Sequence, residues 1–411
     1  MINKKVFQLI ENVSALFSLK VIDLGLSLWL IPYLILKIGL HNYGIYALAM
    51  SLVWFFVNVL NYGFNLSTVR ELAKQKNNKE KVDRIFNEVI SVKLFLFVLL
   101  FVVFLLISFT IPKFSEHSHL YFFASLMLLG DLFSLRWFFM GIEKMRFITF
   151  IHLCSTLIFA ILVLIWVMTP SDYIKIPLYE ATGLLISTVL SFVWVLRKYK
   201  IQIKLIPFRS ILKYLKSHFN SFVNLLLPST SGMLIVLLSG MLAGPSLVGL
   251  TQIGVKFTAA FSTLNTILTN AFYPWVNRNK AIELKTRKIL NSLGLLVSIS
   301  MFFLSEFLTT TWLNFESELM MQNMVRIVKI LSPIPFLSAL VSSYGINGLL
   351  TQYKDKLFGR ITLIATAVML ITAIVLVPLY PIIGAAVSFL SARVVYSGLS
   401  WYFSCKIKWN E

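Results

Sequence analysis

Runs of about 20 mostly apolar residues recur along the whole chain, and one such run spans the hydrocarbon core of a bilayer as a single α-helix. Twelve can be read, at 12–36, 44–64, 89–111, 120–140, 147–168, 177–196, 219–243, 248–273, 289–311, 325–350, 361–377 and 382–403. Short connections between them carry turn chemistry, such as Gly244-Pro245 and the stretch from Pro378 to Pro381. Backbone amides inside lipid must be satisfied within their own segment, so these runs predict helices. The expected fold class is all-α: a polytopic membrane protein with about 12 transmembrane helices. Lys4 and Lys5 precede the first run as they would in a signal peptide. That run is too long and lacks a small-residue cleavage site, so it reads as a retained helix.

Composition agrees. The 411 residues are 58% hydrophobic and only 13% charged, against about 25% charged in soluble domains, which excludes an ordinary soluble enzyme. Thirty-five phenylalanines oppose disorder. The net charge of +20 would suggest a nucleic-acid surface in a soluble protein. In a membrane protein it reflects cytoplasmic loops loaded with Lys and Arg, and no nucleic acid is expected as a partner. With the N-terminus placed in the cytoplasm, inward segments hold 27 of the 37 basic residues and outward loops hold Lys37, Lys113 and Lys175. The other seven, Lys20, Lys93, Arg136, Lys256, Arg326, Lys329 and Arg393, fall within spans. This asymmetry predicts that both termini are cytoplasmic.

The longest polar stretches, 65–88 and 197–218, both face inward, and the first reads as a partly helical connector. The second divides the chain into an N-lobe at 1–200 with helices 1–6, a cytoplasmic linker at 201–216 and a C-lobe at 217–411 with helices 7–12. Two six-helix lobes around a central cavity is a transporter layout.

Charged side chains at mid-span each cost about 2.5–3.5 kcal/mol on insertion scales. Lys20, Asp23, Asp131, Lys256 and Arg393 sit near mid-span, so they must face one another or a water-filled cavity. Lys20 and Asp23 share one side of helix 1 with Ser27. Asn58, Asn61, Tyr62 and Asn65 form a stripe on helix 2, and Asn220, Asn224 and Pro228 one on helix 7. Lys256, Thr263 and Asn270 follow on helix 8, and Arg393, Tyr396, Ser397 and Ser400 on helix 12. One polar stripe per helix suits the lining of a central polar cavity, although Asn and Ser stripes also join helices to one another and Lys20 can simply neutralise Asp23. Asp131 and Arg136 are about 140° apart around a helix and are not a local pair. Arg136, Lys93 and Arg326 are expected to snorkel to the interface. Lys329 precedes Pro333 and Pro335, which should break or kink helix 10. Basic groups outnumber acidic ones within the spans, and a net positive cavity favours an anionic ligand.

No metal spacing, disulfide framework or phosphate-cradling glycine loop is present, and no cofactor is expected; Cys154 and Cys405 stand far apart, and His117 and His119 lie in a short outer loop. The outer loops are short, the longest being 312–324, which disfavours an enzyme.

Four stretches carry a resemblance, two of them long. IGLHNYGIYALA, from Ile38, is similar to the junction of helices 1 and 2 in lipid-linked O-antigen flippases. YGFNLSTVRELAK, from Tyr62, resembles the end of helix 2 in that family, and AFYP from Ala271 and PIIGAA from Pro381 are similar to later landmarks. The resemblance implies the multidrug/oligosaccharidyl-lipid/polysaccharide exporter superfamily, whose lobes surround a cavity opening alternately to each side. It implies a flippase for undecaprenyl-pyrophosphate-linked oligosaccharide in the bacterial inner membrane, working among membrane lipids and other glycan-assembly membrane proteins. Basic cavity residues of the family would correspond to Lys20, Lys256 and Arg393, holding pyrophosphate. Asn61, Asn224 and Asn270 would pass the sugar, and Asp23 or Asp131 would carry a coupling ion. The rival readings are a cation-coupled drug antiporter, which would want an acidic cavity, and a membrane glycan polymerase.

Overall fold

A computed structural model describes the backbone of residues 2–65, 67–278, 283–313, 315, 317–352 and 354–408. Side chains are described for the same residues apart from 2–24, 27–28, 67, 220–221, 224–225, 227–228, 270–271, 273–275, 277–278, 355 and 407–408. Among these residues the chain is helical without strands, and each of the twelve expected spans falls on helix. By length and apolar content, eight described segments can cross a membrane, or nine when the bent pair Glu283–Phe303 and Ser305–Leu313 is taken as one.

The elements run in order as α1 (Ile2–Leu60), α2 (Ser67–Gln75), α3 (Lys79–Thr110), α4 (Pro112–Ser115), α5 (Ser118–Leu132), α6 (Arg136–Gly141), α7 (Arg146–Trp166), a 3-10 turn (Pro170–Lys175) and α8 (Ile176–Tyr199). Then follow α9 (Phe208–Leu242), α10 (Pro245–Arg278), α11 (Glu283–Phe303), α12 (Ser305–Phe307), α13 (Glu318–Leu331), α14 (Ile334–Leu340), α15 (Asp355–Leu379) and α16 (Gly384–Lys408). The residues Leu308–Leu313 and Val341–Leu349 are wound as π-helix.

Two expected spans merge in α1, which turns at Gly39; there φ is 77°, a left-handed value that a side chain resists. The second of them stops at Leu60, earlier than 64, because Tyr62 and Gly63 take φ of 34° and 75° and form a tight turn. The expected connector at 65–88 is largely helical: α2 fills one part, and α3 starts at Lys79 behind an Asn78 cap whose side chain accepts from the Lys81 amide. Helix α9 likewise starts at Phe208, within the stretch expected as linker.

The chain forms two compact units, residues 1–30, 37–42 and 49–230 in the first, and 31–36, 43–48 and 231–411 in the second. In the first, α8 packs on α7 and α5, and α5 on α3. An aromatic cluster of Phe86, Trp137, Phe138 and Phe192 fills its interior. In the second, α15 packs on α16, and α10, α11 and α14 pack together. Helix α3 shows how the sequence is sorted: Val89, Val92, Leu96 and Phe104 turn inward, while Val98, Leu99, Val102, Leu106 and Phe109 stand exposed. So large an apolar stripe would aggregate in water and is stable against lipid tails.

Candidate functional site

The polar interior of the first unit centres on Asp131, one residue before the end of α5. Its carboxylate lies 3.2 Å from the Lys93 ammonium and accepts from the Asn61 amide at 3.0 Å. Lys93 also donates to the Asp131 carbonyl at 2.6 Å and approaches the Ser134 carbonyl at 3.4 Å. These carbonyls lie at or just beyond the C-terminus of α5, where carbonyls lose their helical partners and a cation is favoured. Lys93 is therefore wholly buried against this helix end and does not snorkel to the interface as expected from sequence. Arg136 and Arg326, of which the same was expected, are exposed. The Thr188 hydroxyl of α8 donates to the Gly130 carbonyl at 2.9 Å and ties a further strand of the network to the same helix end.

Of the expected stripe around Asn61, Asn58 bonds back to the Trp54 carbonyl at 2.8 Å and Asn61 to the Val57 carbonyl at 2.9 Å. Tyr62 donates to the Leu215 carbonyl at 3.0 Å and stacks on Phe222 with ring centroids 4.4 Å apart. Asn61 and Asp131 are thus brought together.

In the second unit Lys256 lies half-buried on α10 and Arg393 half-buried on α16, and these two helices are in contact. The Arg393 guanidinium reaches the Ser231 hydroxyl at 3.5 Å and lies 5.2 Å from the Phe389 ring centroid. Beside them Thr251, Val255, Ile327, Leu331, Ala385, Ala386 and Phe389 line a small, mostly apolar hollow. Lys20, Asp23, Asn224 and Asn270 have side chains outside the described residues.

Sequence reasoning missed a second buried ion pair. Arg287, read as part of an inner connection, is buried in α11, paired with Glu283 one turn earlier. It donates to the Ser404 hydroxyl at 3.1 Å and covers the Tyr344 ring at 4.5 Å. The i,i+4 spacing of Glu283 and Arg287 was a visible signal, while the Ser404 and Tyr344 contacts depend on tertiary packing. Asn265 was missed too: it donates to the Pro335 carbonyl at 3.0 Å, where the expected break separates α13 from α14. Among the described residues no group of His, Cys, Asp and Glu could hold a metal ion.

Comparison with known proteins follows the same lines. A family model described as polysaccharide biosynthesis protein matches residues 9–280. A protein of Escherichia coli (strain K12) named "Putative O-antigen transporter" is 27% identical over 386 residues, 92% of each chain. A Shigella dysenteriae protein of the same name is 25% identical over 397 residues, 94% of this chain and 97% of its own. Among solved structures, lipid II flippase MurJ in an inward closed conformation aligns with TM-score 0.68 over 96% of this chain and 87% of its own, at 14% identity. An inward-facing multidrug resistance MATE family transporter of the MOP superfamily aligns with TM-score 0.63 over 93% and 94%, at 15% identity. The fold is that of these multi-span transporters, and the chain belongs to the polysaccharide biosynthesis protein family of membrane proteins.

Proposed function

We propose that this protein flips an undecaprenyl-pyrophosphate-linked oligosaccharide, the repeat unit of O-antigen or a similar surface glycan, across the bacterial inner membrane by alternating access. The observation that carries this reading is the likeness, over 92% of both chains, to an Escherichia coli protein named for O-antigen transport. The chemistry of the spans supports it, since basic groups outnumber acidic ones there. Lys20, Lys256 and Arg393 hold the pyrophosphate: two cationic types suit it, the guanidinium giving bidentate bonds and the ammoniums point charges. Asn61, Asn224 and Asn270 hydrogen-bond the passing sugar, while the prenyl tail stays among membrane lipids.

The protein acts as a transporter and not as an enzyme, beside other glycan-assembly membrane proteins, with both termini cytoplasmic. An anion leaving an inside-negative cell is driven by about 2.3 kcal/mol per charge per 100 mV. Asp23 and Asp131 are the carboxylates assigned to a coupling proton or sodium ion.

The test is surface glycan assembly in cells lacking other flippases. Lys256→Ala and Arg393→Ala should each lower it, and the double substitution should abolish it at normal protein levels. Unchanged glycan in the double variant would overturn the assignment of these residues. Polymerised glycan formed by the purified protein alone would instead favour the polymerase.

A further inference from the structure

The turn that ends α1 is held from two sides within the first unit. On one side Asn61 spans the Val57 carbonyl and the Asp131 carboxylate, at 2.9 and 3.0 Å. On the other, Tyr62 grips α9 through its hydroxyl on the Leu215 carbonyl at 3.0 Å and its ring on Phe222, tilted by only 10°. A second grip joins the start of α2 to the neighbouring residue of α9, where the Thr68 and Tyr214 hydroxyls are 2.6 Å apart and Phe64 packs near the Tyr214 ring.

Between these grips Tyr62 takes φ of 34°, a left-handed conformation that an aromatic residue adopts only where its surroundings compel it. Glycine or asparagine would fit the turn with less strain, but neither could both stack on Phe222 and donate to Leu215. The strain therefore marks a requirement for this side chain at this place. Leu215 lies within the helical body of α9, so its carbonyl is free to accept a second bond without loss of the helix. The contact fixes the position of α9 without being needed to form it.

We propose that Tyr62 is a positioning residue for translocation: it sets where the 214–222 stretch of α9 sits in the first unit, and Asn61 ties that setting to the Asp131 carboxylate. The inference rests on the transport reading above and deepens its assignment of Asp131. With the Asp131 carboxylate as acceptor Asn61 is held on both sides and the turn keeps its angle; removing the Asn61 amide takes away that tie and loosens the Tyr62 grip on α9.

The experiment uses the full chain in lipid nanodiscs and in cells. Hydrogen exchange over 212–222 is compared for wild type, Tyr62→Phe, Asn61→Leu and Tyr62→Phe with Asn61→Leu. Tyr62→Phe keeps the ring and loses the donor, and should speed exchange there about fivefold, the loss of about one net hydrogen bond. Asn61→Leu, which leaves the Lys93–Asp131 pair in place, should give a similar rise, and the double variant no more than either single one. In transport assays Tyr62→Phe should lower kcat and leave KM unchanged. Exchange unaltered by Asn61→Leu, or additive effects in the double variant, would refute the link. Equal turnover of wild type and Tyr62→Phe would refute the positioning role. Should wild type itself move no lipid-linked glycan, the transport reading fails while the exchange result still decides the link.

Discussion

A charge buried in lipid is tolerable only when something nearby compensates it, and Lys93 illustrates how completely that can be done. Its ammonium meets one carboxylate and two carbonyls at the end of α5, so most of its donors are occupied. Removing one partner of such a pair leaves the other uncompensated, at a cost of about 3–5 kcal/mol, whereas an apolar replacement of both is often neutral. Lys93→Met should therefore destabilise the purified protein severely, and Lys93→Met with Asp131→Leu much less, measured by thermal unfolding in detergent. A double variant as unstable as the single one would show that the helix-end carbonyls, not the pair, hold Lys93. From sequence, the mid-span position of Asp131 was legible and its partner was not, because Lys93 lies 38 residues away on another helix and near the end of its own span. A different balance governs His117, outside the spans, whose Nδ1 lies 3.1 Å from the Tyr173 hydroxyl. Burial lowers its pKa, Glu116 opposes that shift and His41 adds to it. A depressed histidine pKa means the unfolded chain takes up the proton first as pH falls. The stability it contributes is whole above the unfolded value, about pH 6.5, and declines as pH drops below it towards the folded value. His117→Gln should flatten the change in Tm between about pH 7 and pH 5. Parallel curves for the two proteins would exclude His117 as a source of that dependence.

Helical elements in lipid gain little from burying apolar surface against one another, so contact depends on close backbone approach and on interhelical hydrogen bonds. Gly44 shows the first: a Cβ there would lie 1.8 Å from the Pro245 carbonyl oxygen, and backbone cannot yield as a side chain can. Gly44→Ala should destabilise by at least about 1–3 kcal/mol through overpacking. Gly25→Ala, where a Cβ meets nothing within 4 Å, should leave Tm unchanged or raised, and equal loss in both would mean that helix propensity and packing are not what separates them. The break between α13 and α14 shows the second. Pro333 and Pro335 were legible as a break; the Phe336 amide left at the start of α14 donates to the Ser298 hydroxyl at 2.8 Å, and Asn265 donates to the Pro335 carbonyl beside it. Those two partners were not legible. Each sits on a helix far away in sequence, and Asn265 lies on the face of α10 opposite Lys256, outside the polar stripe through Lys256 and Asn270. Helix ends were the other point of divergence, since the stretch 201–216, which lacks the apolar signal that marks a span, is helical from Phe208 onward. Hydropathy reports where lipid is, and a helix that leaves the bilayer continues as long as its own hydrogen bonds and caps support it.

For the whole molecule the strongest statement in the sequence is its charge asymmetry, 27 basic residues on one side of the predicted topology and three on the other. Orientation by this rule counts Lys and Arg in short loops near the spans, and the alternation survives only if no span is missed or invented. A single error in the count would transpose every later loop, so the C-terminal half offers the sharper check. The described helices accommodate all twelve runs, but helix alone does not tell which side each connection faces. Chemical access does. The native cysteines, Cys154 and Cys405, are half-buried, and their replacement by serine gives a background for single reporters. Lys113 and Lys204 are both exposed, the first in a loop predicted outward and the second in the long inward stretch at mid-chain. In intact cells with a permeable outer membrane, Lys113→Cys should react with a membrane-impermeant maleimide and Lys204→Cys should not. Lys354→Cys, exposed and beyond four more spans, should also resist until the inner membrane is opened. Labelling of Lys354→Cys alongside a protected Lys204→Cys would place an odd number of crossings between them. Twelve spans would then be wrong, and with them the inward placement of the C-terminus on which the charge argument depends.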